Sequence, residues 1–159
     1  MFYRFLFFLL LSSLAILLDQ WSKLEILKFF IGKEISEVEI TNLFNLVLVH
    51  NQGISFGILA NHNQPVILIF ISVVISLILF IWLFRTKEKI VIFATPLIIG
   101  GAIGNVIDRV KYGAVIDFLD FHIGNLHWPA FNFADSFVFI GVCLLLISSF
   151  FEGKNCEKI

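Results

Sequence analysis

Four apolar runs, separated by polar stretches, organise this chain. The first is Phe5–Leu18, extended back by Phe2 and Tyr3, and it predicts a span over about 2–20. Pro65–Phe84 follows, twenty residues without a charge. That is enough to cross a hydrocarbon layer of about 30 Å as a helix. Ile90–Ile107 predicts a third span over 90–107, and the run after Asp135 a fourth over 135–151. Residues from about 30 to 60 break the pattern. Glu37-Val38-Glu39-Ile40 alternates with the period of a half-exposed strand, Thr41-Asn42 is a turn, and Leu43–Val49 is rich in strand formers. Asn51–Gly57 reads as a glycine-containing loop, and Asp108–Phe133 as a polar, aromatic, loop-like segment. The predicted class is an α-helical polytopic membrane protein of one membrane domain over 1–159. It has four transmembrane helices, with a small extracytoplasmic β-sheet between helices 1 and 2.

Composition supports that class. The chain is 59% hydrophobic with a mean hydropathy of +0.98, against about 45–50% apolar in soluble domains. A net charge of −1 leaves no basic footprint for nucleic acid. Cys143, inside an apolar run, and Cys156, in a polar tail, form neither a metal knuckle nor a disulfide framework. Ser13-Leu14-Ala15 offers a passable signal-cleavage site, but the polar Asp19 and Lys23 that follow look like the end of a span. Gly100, Gly101 and Gly104 on the third span would let a neighbouring helix approach closely.

Four spans put both termini on one side. Arg4, Arg85, Lys87, Lys89, Lys154 and Lys158 fall there, against five basic residues opposite: Lys23, Lys28, Lys33, Arg109 and Lys111. The count, with the short basic loop Arg85–Lys89, places the termini in the cytoplasm. The unusual polar residues then gather at one depth on the outer face. Asp19, Asn105, Asp108 and Asp135 mark span ends, and Asn51 and Asp117 lie in outer segments. Acids at a membrane lip need a partner or a task. Asp19 and Lys23 have the i,i+4 spacing of a helical ion pair. Asp108 with Arg109 reads most simply as an interfacial ion pair. Asp135-Ser136 has the look of a helix cap, and Asp117 with Asp120 that of a solvated loop.

Asp19-Gln20-x-x-Lys23, Asn51-x-Gly53-x-Ser55-Phe56, Gly104-Asn105-x-x-Asp108-Arg109, Gly113-x-Val115-x-Asp117-Phe118 and Phe131-Asn132-x-Ala134-Asp135-Ser136 occur in that order between the four spans. Each is weak alone; together they resemble the lipoprotein signal peptidase (signal peptidase II) family over nearly the whole chain. Ser55 stands where many members have alanine. The resemblance implies an aspartic endopeptidase of the bacterial cytoplasmic (inner) membrane, without a cofactor. It would cut diacylglyceryl-modified prolipoproteins just before the lipidated cysteine and be inhibited by globomycin-type compounds. It implies a catalytic pair at Asp117 and Asp135, with Asp19, Lys23, Asn51, Gly53, Asn105, Arg109 and Asn132 as supporting or substrate-binding residues. The partners implied are prolipoproteins and membrane lipids.

The residue types suit that chemistry. Two neighbouring carboxylates cannot both ionise comfortably, so one pKa rises and one falls, supplying an acid and a base together. Either acid can take either role, because such a pair titrates as a unit. His50, His62, His122 and His127 lack metal-ligand spacing, and His50 reads as a loop residue. Ser136 has neither a nucleophile elbow nor a histidine partner. Trp21 and Trp128 suit membrane-interface anchoring. A small transporter or proton relay is the alternative, but its acids would lie near the midplane. A non-catalytic assembly factor packing through the glycines would leave the outer acids and amides unexplained.

Overall fold

The computed structural model describes residues 1–53 and 64–156. Ser55, His62 and most of the predicted Asn51–Gly57 loop lie outside the described residues. Among the described residues, four helices are long and apolar enough to cross a membrane: α1 (Phe2–Phe30), α2 (Gln64–Arg85), α3 (Lys89–Tyr112) and α4 (Phe133–Cys156). Four strands make one antiparallel sheet in sequential order: β1 (Glu37–Thr41), β2 (Phe44–Asn51), β3 (Val115–Ile123) and β4 (Leu126–His127).

The helices and sheet follow the predicted plan, with informative departures. Helix α1 has 29 residues, where about 20 suffice for the bilayer. Its buried positions are Phe8, Ser12, Ala15, Asp19, Lys23, Ile26 and Phe30. They keep a three- and four-residue rhythm, so a single stripe continues beyond the apolar run. At the far end of α1, Ile26 and Phe30 form a core with Phe118 beneath the sheet, joined by Val38, Leu46 and Phe133.

The segment 108–133, read above as loop-like, is ordered secondary structure instead. Helix α3 runs on to Tyr112 and stops at Gly113, whose φ of 70° is left-handed and whose N–H reaches Arg109 O at 3.0 Å. Strand β3 then pairs with β2, so the sheet that begins between α1 and α2 is completed between α3 and α4. Asp117 therefore sits on a strand, opposite Val49. His50, read above as a loop residue, lies in β2 opposite Ile116. The nine residues of β3 are dominated by Val, Ile, Phe and Leu, which favour the pleat. Two buried acids among them, Asp117 and Asp120, gave the stretch its polar look.

Helix α3 is central, packing against α1, α2 and α4. Its glycines make that possible. A Cβ at Gly100 would stand 2.9 Å from Ser12 O of α1, and one at Gly101 would run into the Ala134 carbonyl of α4. A Cβ at Gly104 would meet Asp19 Oδ2 at 2.5 Å. At the end carrying Met1 and the last turn of α4 the filling is apolar: Phe8, Leu83 and Ile99, surrounded by Leu79, Phe80, Phe84 and Ile92.

Candidate active site

The opposite end of the bundle, under the sheet, is filled with polar groups. Asp19, Lys23, Asp108, Asp117 and Asn132 are each at most 2% exposed. Buried polar atoms must be paired, and here the pairing links α1, α3, β3 and α4.

Asn132 opens α4. Its Oδ1 accepts from Asp135 N–H at 2.9 Å, while its own N–H donates to Asp135 Oδ2 at 3.3 Å. That is the reciprocal arrangement of a capping box, with Asn132 at the cap and Asp135 three residues on. Asp135 is thus part of the cap, as its position suggested, but the cap residue is Asn132. Ser136 Oγ only donates back to Asn132 O, at 3.0 Å. Phe131 brings Asn132 to this point by exchanging backbone bonds of 2.9 and 3.1 Å with Leu119 of β3. The side chain of Asn132 then donates Nδ2–H to Asp117 Oδ1 at 2.7 Å. One asparagine thereby bridges the two acids.

Two more amides complete the shell. Asn51 Nδ2 donates to Asp117 Oδ2 at 2.9 Å, and Gly53 N–H holds Asn51 Oδ1 at 3.1 Å. Asn105 Nδ2 donates to Asp135 Oδ1 at 2.8 Å, and its Oδ1 receives Lys23 Nζ at 3.0 Å. Each amide oxygen is occupied by a donor, so each amide turns its N–H toward a carboxylate. Burial, the largest influence, pushes the Asp117 carboxyl up to about 7; the Asp135 charge adds to this, and the Asn51 and Asn132 hydrogen bonds and Lys23 pull the other way.

Asp19 and Lys23 form the expected helical pair at 2.8 Å. The ion pair of Asp108 is a correction: its partner is Lys23, at 2.7 Å, and not its neighbour Arg109. Sequence spacing favoured adjacent residues, whereas the α1–α3 contact brings Lys23 across. Arg109 carries a charge felt by Asp135, Asp117 and Asp108. Its Nη1 makes one long contact to Asn105 O at 3.5 Å, and its buried Nε has no partner among the described residues. The structure therefore gathers all nine sequence-predicted site residues into one connected region. It adds Gln20, whose Nε2 donates to Asp108 Oδ1 at 2.8 Å. Its place beside Asp19 in the first motif was the available signal.

The sequence profile described as signal peptidase (SPase) II matches residues 11–151. The chain belongs to the signal peptidase II family. A "Lipoprotein signal peptidase" of Alteromonas mediterranea is 43% identical over 156 residues, covering 95% of this chain and 85% of that protein. One from Ralstonia nicotianae is 47% identical over 140 residues, covering 86% of this chain and 80% of its own. Among solved structures, a bacterial membrane enzyme determined at 2.3 Å superposes with a TM-score of 0.78 at 30% identity, covering 93% of this chain and 90% of that one. Another, at 1.9 Å, gives 0.71 at 30% identity, covering 89% and 90%. Family membership makes the chain a protease of a bacterial membrane.

Proposed function

We propose that this protein removes the signal peptide from diacylglyceryl-modified prolipoproteins, cutting before the lipidated cysteine, with Asp117 and Asp135 as an aspartic dyad. The names of its relatives supply the substrate class. The observation that carries the chemistry is the bridge at Asn132, which ties an acid on β3 to an acid in the first turn of α4. Among the described residues, every hydrogen bond to these two carboxylates comes from an N–H.

In this reading Asp117, its carboxyl raised to about 7 by burial, holds the proton shared by the pair, and Asp135 is the base. Asp135 takes a proton from water as the water oxygen attacks the scissile carbonyl carbon. Asp117 gives its proton to the carbonyl oxygen, forming a neutral tetrahedral diol. Asp135 then delivers its proton to the leaving nitrogen as the C–N bond breaks, and a diol hydroxyl returns a proton to Asp117. The Arg109 Nε–H, which has no partner among the described residues, suits a substrate carbonyl. The chain acts as one domain of the inner membrane, with termini cytoplasmic and the acids at the outer face, where a lipid-anchored peptide bond can reach them. The sheet lies on the outer leaflet and clamps the peptide. Globomycin-type inhibitors compete for the same site.

The test is cleavage of a diacylglyceryl-modified prolipoprotein peptide by purified protein in detergent. Folded Asp117→Asn and Asp135→Asn variants each lose about 10⁴-fold in rate, and zinc chelators have no effect. A folded variant that still cleaves removes that aspartate from the chemistry. If wild type fails to cleave the lipidated peptide, the substrate assignment is wrong. Wild-type rates after removal of 34–45 would exclude the clamp.

A further inference from the structure

Lys23 occupies a position that goes beyond general support of the site. Its ammonium has three partners and a proton for each: Asp19 Oδ2 at 2.8 Å, Asp108 Oδ2 at 2.7 Å and Asn105 Oδ1 at 3.0 Å. The second contacts of those partners share a pattern. Asp19 Oδ1 accepts from Ala134 N–H at 2.9 Å, and Ala134 precedes Asp135. Asp108 Oδ2 accepts from Ile116 N–H at 3.3 Å, and Ile116 precedes Asp117. Asn105 donates directly to Asp135. Two buried carboxylates thus grip the backbone just before each member of the dyad, and one cation joins them.

An arrangement used only to hold helices together has no reason to choose those two amides. Asp19 and Asp108 lie on different helices, and Ala134 and Ile116 on a third helix and a strand. Burying two acids and a lysine is costly unless every hydrogen-bonding site is used; Gln20 fills the remaining oxygen of Asp108. We infer that Asp19, Lys23 and Asp108 form one positioning unit that sets the separation of Asp117 and Asp135 through the Ala134 and Ile116 amides. The inference rests on the dyad reading and deepens it. A displacement of about 1 Å at a reacting group can cost about 10²-fold in rate, so the unit acts on kcat rather than on substrate affinity.

Lys23 from α1 acts on Asp117 and Arg109 from α3 on both acids, Asp19 and Asp108 each lie one backbone hydrogen bond from the residue before an acid, and His50 is a neighbour on β2. Replacing Asp19 or Asp108 by Asn removes a negative charge, which favours ionisation of the dyad and moves its pH profile toward acid. It also replaces a carboxylate gripping both Lys23 and a backbone amide. The experiment measures kcat, KM and the pH profile for the lipidated peptide with Asp19→Asn, Asp108→Asn and the milder Gln20→Met, each with a thermal melt in detergent. The expected result is a fall in kcat of at least about tenfold for each aspartate variant, at nearly constant KM, with an acid-shifted profile in the folded fraction. Gln20→Met, which removes a donor to Asp108 but no charge, gives a loss of a few-fold in kcat at nearly constant KM without the acid shift, and carries the test if the aspartate variants do not fold. The inference is overturned if activity falls only in proportion to the folded fraction, or if kcat and profile are unchanged. Asp117→Asn runs alongside. If it cleaves normally, the dyad reading fails; if it is inactive while the three variants are normal, only the positioning unit fails.

Discussion

The two ends of the helix bundle are held together by different means. At the terminal end, Phe8 meets Phe80 edge-on at 5.2 Å and packs with Leu83 and Ile99. At the sheet end the same helices meet through Asp19, Lys23, Asn105 and Asp108, joined by bonds of 2.7–3.0 Å. Apolar packing tolerates small shifts, and lipid tails compete for it almost on equal terms. A saturated polar network has one geometry, and any missing partner leaves a buried group unpaired. Stability can come from either end, but a fixed distance between two acids requires the second kind.

The contrast can be broken in order of expected effect. Asn132→Ala removes the bridge and the cap together, and about a 10³-fold fall in kcat is expected in peptide cleavage. A folded variant with normal kcat would remove the bridge from the chemistry. Gly104→Val places a side chain on Asp19, where overpacking costs about 3 kcal/mol; a sharply lowered Tm with reduced activity is expected. Asp117 gives a pH signature. Its folded pKa of about 7 lies above the 3.8 of the free side chain. Its contribution to stability is therefore full below pH 4 and lost as pH rises through about 7, a change on the order of 4 kcal/mol over the whole window and about 2–3 kcal/mol between pH 5 and pH 8. Wild type should melt lower at pH 8 than at pH 5 by more than Asp117→Asn does; equal differences would contradict the shift. At the other end, Leu83→Ala should cost about 1–2 kcal/mol, since lipid lessens the transfer penalty but not the cavity. Its kcat per folded molecule should match wild type; a change there would show that the two ends are not separable.

The same contrast explains what could be read in advance. Spans α2 and α4 are clean apolar runs, and hydropathy alone locates them. The strands β1 and β2 were legible because Glu37-Val38-Glu39-Ile40 alternates. The last third of α1 was hidden because its buried stripe contains Asp19 and Lys23, so hydropathy ended the span before the helix did. Strand β3 was hidden in the same way by Asp117 and Asp120, although Gly113 and Gly124, both at positive φ, bracket it. The candidate site residues stood out through motif order. Their connections did not: Asp108 reaches Lys23 across two helices, and spacing along one chain carries no record of that.

Gly104 and Asp19 share one small volume, since a Cβ on the first would stand 2.5 Å from Oδ2 of the second. The two positions are therefore coupled in any redesign of the chain. An alanine at 104 would displace the carboxylate at 19, and with it the acceptor of Ala134 N–H and one partner of Lys23. The absence of a side chain at 104 is thus a component of the polar network, as much as any of its charged groups.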